Sequence, residues 1–208
     1  MVLAVAGCFS REDSMTSTRL ALLLLAATTL AGCEKKAETA VPAPAPSESV
    51  AAAANDPVAS AESAAPAAVG KASTIVAMNA DGTMTEVRKG TNGFTCMADS
   101  PATPGPDPMC FDANAMDFVM AWVGHKAPST DKPGIMYMLA GGTDASNTDP
   151  FATKPTEGGD WVHTGPHMML VGSAASLKGY PSGPNPDTKA PYVMWAGTPY
   201  AHLMIPVG

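Results

Sequence analysis

The residues best suited to chemistry are histidines and methionines in the C-terminal half. Trp161-Val162-His163-Thr164-Gly165-Pro166-His167-Met168-Met169 places two His and two Met within seven residues. His202 and Met204 follow in an apolar run, at the i, i+2 spacing that puts both on one face of a strand. Imidazole and thioether are ligands that suit copper, Cu(I) above all. If the last strands are neighbours, His163, His167, His202, Met168 and Met204 are the set to hold it. Against this stands methionine's ordinary use as a flexible core filler. Twelve of the fourteen Met lie in residues 71–208, spread through every apolar run, with no Met-x-x-Met or His-x-x-Met cluster. The default for His167 and His202 is therefore a partly buried, hydrogen-bonded core histidine.

Other chemistries have less to stand on. There is no Gly-x-Ser-x-Gly, no His-Glu-x-x-His and no phosphate-binding glycine loop. Asp144-Ala145-Ser146-Asn147-Thr148-Asp149 offers oxygen ligands to calcium but lacks EF-hand spacing, so turn stabilisation is the simpler role. Trp161, Tyr180, Tyr192, Trp195 and Tyr200 alternate with Gly and Pro. They either line a groove for a small apolar or sugar ligand or pin long loops to the core. Residues 71–208 carry eight Lys and Arg against twelve Asp and Glu with no basic stripe, which excludes nucleic acid as a partner.

Stepping along the chain, β-branched residues on both sides of Asn79-Ala80-Asp81-Gly82 predict a hairpin over 73–88. A short strand follows at 93–97. Asp112 or Asn114 caps a helix over about 113–123, with Met116, Val119, Met120 and Val123 at i, i+3, i+4, i+7 as its apolar stripe. Apolar runs at 135–140, 168–171, 192–195 and 202–205 predict further strands, and long ordered loops at 141–159 and 178–190 join them. The expected fold class is α+β: a mainly antiparallel sheet of five to seven strands, one main helix and large loops over 71–208.

The chain's start carries a different kind of signal. Arg19, the apolar run 20–30 and Leu30-Ala31-Gly32-Cys33 form a basic, an apolar and a small-residue segment in order. This is the layout of a secretory signal, and the run is too short for the ~20 apolar residues of a membrane span. It resembles the lipobox of bacterial lipoproteins: a leucine, two small residues and a cysteine. The resemblance covers residues 15–33 and implies cleavage before Cys33, a covalent lipid on its sulfur and attachment to a membrane. Arg11-Glu12-Asp13 fits no such leader, so Met15 is the expected true start and 1–32 the signal peptide. Glu34, where enteric lipoproteins kept at the inner membrane have Asp, points to the periplasmic face of the outer membrane.

Residues 34–70 include fourteen Ala, five Pro and no aromatic, a composition that predicts a disordered tether from Cys33 to residue 70. With Cys8 in the leader and Cys33 lipidated, Cys96 and Cys110 remain, and the oxidising compartment implied by the lipobox makes them a disulfide. It would close a loop holding four prolines and contribute about 3 kcal/mol. Thr164-Gly165-Pro166-His167 and Tyr192-Val193-Met194-Trp195 also resemble phrases of secreted bacterial proteins of unknown function. The resulting expectation is a membrane-anchored cell-envelope lipoprotein, not an enzyme, binding a small ligand or an envelope protein and needing no cofactor. Copper handling and an unrecognised hydrolase are the alternatives.

Overall fold

The Asp-Gly pair turns the chain as expected. β1 (Thr74–Met78) and β2 (Met84–Arg88) pair antiparallel, and Asn79 N–H donates to the Thr83 carbonyl at 2.8 Å. Gly82 sits at φ 80, where any side chain would be strained. Asp81 locks the turn by accepting from both the backbone N–H and the hydroxyl of Thr83. The computed structural model describes residues 56–129 and 131–208, all within one compact unit. The expected leader 1–32, Cys33 and the tether up to residue 55 lie outside the described residues. Among those described, no helix is long and apolar enough to cross a membrane.

The remaining strands are β3 (Thr95–Met97), β4 (Met109–Phe111), β5 (Gly134–Met138), β6 (Gly142–Asp144), β7 (Val162–Thr164), β8 (His167–Val171), β9 (Tyr192–Met194) and β10 (His202–Pro206). Eight of them form one sheet in the order β2-β1-β3-β4-β5-β8-β10-β9, and β6 pairs with β7 in a second, small sheet. Only β1–β3 is parallel among these pairings. The domain is thus mostly β, which corrects the α+β expectation of five to seven strands. The additional strands β4, β6 and β7 are three residues each and sit in Gly-, Pro- and Asp-rich surroundings. Such segments pair because neighbours supply the hydrogen bonds, not because their own sequence favours extension.

A second correction concerns the tether. Its last part folds into α1 (Pro57–Ser63) and α2 (Ala67–Gly70). Asp56 caps α1, its Oδ1 accepting from Val58 N–H at 2.9 Å and Ala59 N–H at 3.3 Å, and Pro57 occupies the first helical position, where its missing N–H costs nothing. Ala61, Ala64 and Ala65 are buried against Ile75, Cys96 and Cys110, with Phe94 and Tyr137 at the edge. Small side chains let the helix pair approach the sheet closely. Arg88 ties the two together: it pairs with Glu62 and donates to the carbonyls of Gly70 and Ser73. The Cys96–Cys110 disulfide is present, joining directly opposed residues of β3 and β4 beneath these helices.

The opposite face of the sheet carries the main core and is covered by α3 (Ala115–Val123). Asp112 caps this helix from three residues upstream, its Oδ1 accepting from Ala115 N–H at 2.8 Å. Helix formation begins at Ala115 rather than 113. Ala115, Phe118 and Val119 are buried and Met116, Trp122 and Val123 pack half-buried against the core, so of the expected stripe Met120, 42% exposed, is the member that faces away. Gly134 explains the close seat of α3: a Cβ there would lie 2.5 Å from Ala115 N.

Candidate functional site

Residues directly opposed across a sheet point to the same face. Following the register from β4 to β9 gives a row Phe111, Met136, Met169, Met204, Tyr192 across the core face. A flanking row runs Met109, Met138, His167, Pro206, and the other flank ends in His202 and Met194. Three thioethers thus stand side by side on neighbouring strands, with Met138 and Met194 adjoining. All five are at most 7% exposed.

Above this floor lies a cavity of about 250 Å³, just below the roughly 300–1,000 Å³ usual for small-molecule sites. Met136, Met138, Met169, Met194, Met204 and His202 form its base, and Phe118, Val119 and Trp122 of α3 form one wall. The segment before β4, the end of β6 and the loop from β6 to β7 supply the rest of the lining, including Asp107, Asp144, Asp149 and Trp161. No Lys or Arg lines it.

Trp195 is the most constrained part of the wall. Its φ of 55 is a left-handed conformation uncommon for any residue but glycine. The surroundings hold it there: Trp195 N–H donates to the Asn147 carbonyl at 2.8 Å and its indole Nε1–H to the Ser146 carbonyl at 3.1 Å. The ring stacks on Trp122 with centroids 5.5 Å apart and meets His202 edge-on at 5.0 Å. Asn147 itself is buried, and its amide donates to the carbonyls of Gly183 at 2.6 Å and Val193 at 3.2 Å, joining the two long loops. The 144–149 segment therefore works as a turn: Ser146 Oγ accepts from the N–H groups of Thr148 and Asp149, and Asp149 from Phe151.

The two core histidines share one arrangement. His202 Nδ1 lies 2.8 Å from the Tyr200 carbonyl and His167 Nδ1 lies 2.7 Å from the Gly165 carbonyl. A carbonyl only accepts, so each Nδ1 carries the proton and each Nε2 presents a lone pair. Both Nε2 atoms are buried without a partner. Burial lowers both pKa values, that of His202 to about 4 with the nearby His167 adding to the shift, so both rings are neutral near pH 7. The carboxylates of the lining respond oppositely. Burial pushes Asp144 up to about 7, helped by the charge of Asp107, and pushes Asp107 up to about 6 against hydrogen bonds from Thr103 and Ser100.

The sequence-derived ligand set is not brought into one cluster. His163 is exposed on β7, with Nδ1 3.2 Å from Thr143 Oγ1. Met168 points to the face opposite His167 and Met169, as the alternating burial of β8 requires. His167 is opposed to Pro206, four residues from His202, so their Cα atoms are roughly 13 Å apart along the strands. His202 and Met204 do share a face and both line the cavity. Among the described residues no three His, Cys, Asp or Glu side chains are grouped for a metal ion. Of the loop aromatics, Trp161 and Trp195 line the cavity, Tyr192 and Tyr200 are core residues, and Tyr180 is exposed. Met136, Met138, Met194 and Asp107 were not singled out from sequence, although strand alternation places Met136 and Met138 with His167 on one face. No known protein family, characterised protein or solved structure matches the chain.

Proposed function

We propose that the chain is a lipid-anchored cell-envelope protein whose folded part holds a small, largely apolar ligand in the methionine-floored cavity. The address rests on Leu30-Ala31-Gly32-Cys33, and the Cys96–Cys110 disulfide accords with an oxidising compartment. The binding role rests on one observation: an apolar cavity in the core, walled by a stacked tryptophan pair of which one member is held in a left-handed conformation. Strain maintained by several hydrogen bonds is a recurrent property of ligand-contacting residues.

Saturation-transfer NMR with indole tests the binding role. A saturable signal that disappears in Met169→Trp, whose side chain fills the cavity, is the expected result; a signal equal in both proteins overturns it. Fatty-acid labelling of the wild type, absent from Cys33→Ala, tests the anchor. Equal labelling of the two removes it.

Copper binding is a second reading with its own support. A histidine that donates through one nitrogen to a carbonyl and keeps a buried lone pair on the other has the usual arrangement of a metal ligand. His202 does so beside Met194 and Met204, which suits Cu(I). Competition against a chromophoric Cu(I) chelator should show one bound equivalent that His202→Phe abolishes, and retention in the variant would rule the site out.

A further inference from the structure

We infer that the natural ligand carries a positive charge on its apolar body, with the charged end held by Asp144 and Asp107. This inference rests on the cavity being a binding site and names the class of molecule that fits it. The lining combines apolar side chains with three carboxylates, Asp107, Asp144 and Asp149, and no Lys or Arg accompanies them. Among the described residues no salt bridge reaches Asp107 or Asp144, the Arg88–Glu62 pair being on the other face of the sheet.

The oxygens of Asp107 are already engaged, Oδ1 by Ser100 N–H at 2.8 Å and Oδ2 by the Thr103 hydroxyl at 2.6 Å. Asp144, desolvated and close enough to feel the charge of Asp107, forms no such bonds among the described residues. A cation placed there lets both carboxylates ionise together, which burial and their mutual repulsion otherwise oppose. An anionic ligand would add to that repulsion, which makes the site selective by repulsion as well as attraction.

Two further observations favour an organic cation over a bare metal ion there. The three carboxylates are not grouped as a metal site. The adjoining wall presents Trp122, Trp195 and Trp161, whose ring faces attract ammonium groups and pack against aromatic bodies. Below them, thioethers make favourable contacts with aromatic rings. His202 Nε2, unpartnered and lining the base, can accept from an N–H or O–H donor at the far end of the molecule. The shape of the ligand is thus a small amine: a donor group at the base, an apolar or aromatic body, and an ammonium against the carboxylates.

Tryptamine and its neutral analogue tryptophol test this by calorimetric titration of the full chain at pH 8. Wild-type protein is expected to bind tryptamine about tenfold more tightly than tryptophol. Asp144→Asn should remove that preference and leave tryptophol binding unchanged, and Asp107→Asn serves if the first variant does not fold. Equal binding of the two compounds to the wild type overturns the charge preference while leaving the cavity as a binding site. A preference that survives both substitutions overturns the role of these carboxylates. If neither compound binds, the cavity reading falls and this inference falls with it.

Discussion

His202 donates through Nδ1 to the carbonyl of Tyr200, two residues earlier in the turn that precedes β10, at 2.8 Å. The bond fixes the tautomer and leaves a neutral ring in the core, between Phe118 and Trp195. With a folded-state pKa of about 4 against an ordinary 6.5, the unfolded chain takes up a proton that the native state refuses. The resulting stability is present above about pH 6.5 and lost as pH falls through about 4, amounting to about 3 kcal/mol. His202→Phe should therefore lose less stability than the wild type between pH 7 and pH 4.5 in urea unfolding. An equal loss in both proteins would contradict this account.

Asp144 acts with the opposite sign. Its carboxyl is raised from 3.8 to about 7, so the native state retains a proton that the unfolded chain releases. Stability from this group is complete below about pH 4 and disappears as pH rises through 7. Asp144→Asn, which mimics the protonated form, should be more stable than the wild type by about 4 kcal/mol at pH 8 and equal to it near pH 4. Denaturant midpoints at the two pH values measure both.

The seat of α3 depends on Gly134. A Cβ there would meet Ala115 N at 2.5 Å and Ala115 Cα at 2.7 Å, and backbone atoms cannot step aside as a flexible side chain can. Gly134→Ala should cost about 2–3 kcal/mol in thermal or urea unfolding and loosen the cavity wall that α3 supplies. A loss below about 0.5 kcal/mol, the ordinary surface value, would mean that the helix moves freely.

The helices before β1 belong to the folded unit. A chain that starts at Lys71 would expose Ile75, Phe94 and Tyr137 and leave Arg88 without Glu62 and Gly70. Its Tm should lie about 10 °C below that of a chain starting at Ala54. Matching melting temperatures would return these residues to the status of a tether.

Local chemistry made part of the fold readable. The Asp81-Gly82 hairpin and the apolar runs of β5, β8, β9 and β10 follow from turn residues and extended apolar stretches. Ordinary patterning also pointed at α3, but the helix is apolar on most sides, and only the sheet selects Phe118 over Met120 for burial. The Ala-rich stretch misled because alanine adds little burial by itself; its folding depends on the Asp56-Pro57 helix start and on a flat surface to dock against. The candidate site was legible in pieces, through His202 and Met204, the loop tryptophans Trp161 and Trp195 and the Asp144–Asp149 segment, but not as one site. The other floor residues come together by strand order: β10 lies between β8 and β9, and nothing within any one strand encodes that neighbourhood.

The row Met136, Met169, Met204 has a consequence for chemical durability. Thioethers are oxidised to sulfoxides, which are polar and chiral. These three side chains are shielded from solvent on the sheet side and by α3, so an oxidant reaches them only by the mouth of the cavity. A seated ligand would act as a stopper, and an empty cavity would turn its own floor hydrophilic under peroxide. The protein's binding capacity would then have a shelf life set by occupancy, with the sulfoxide content of three methionines as its record.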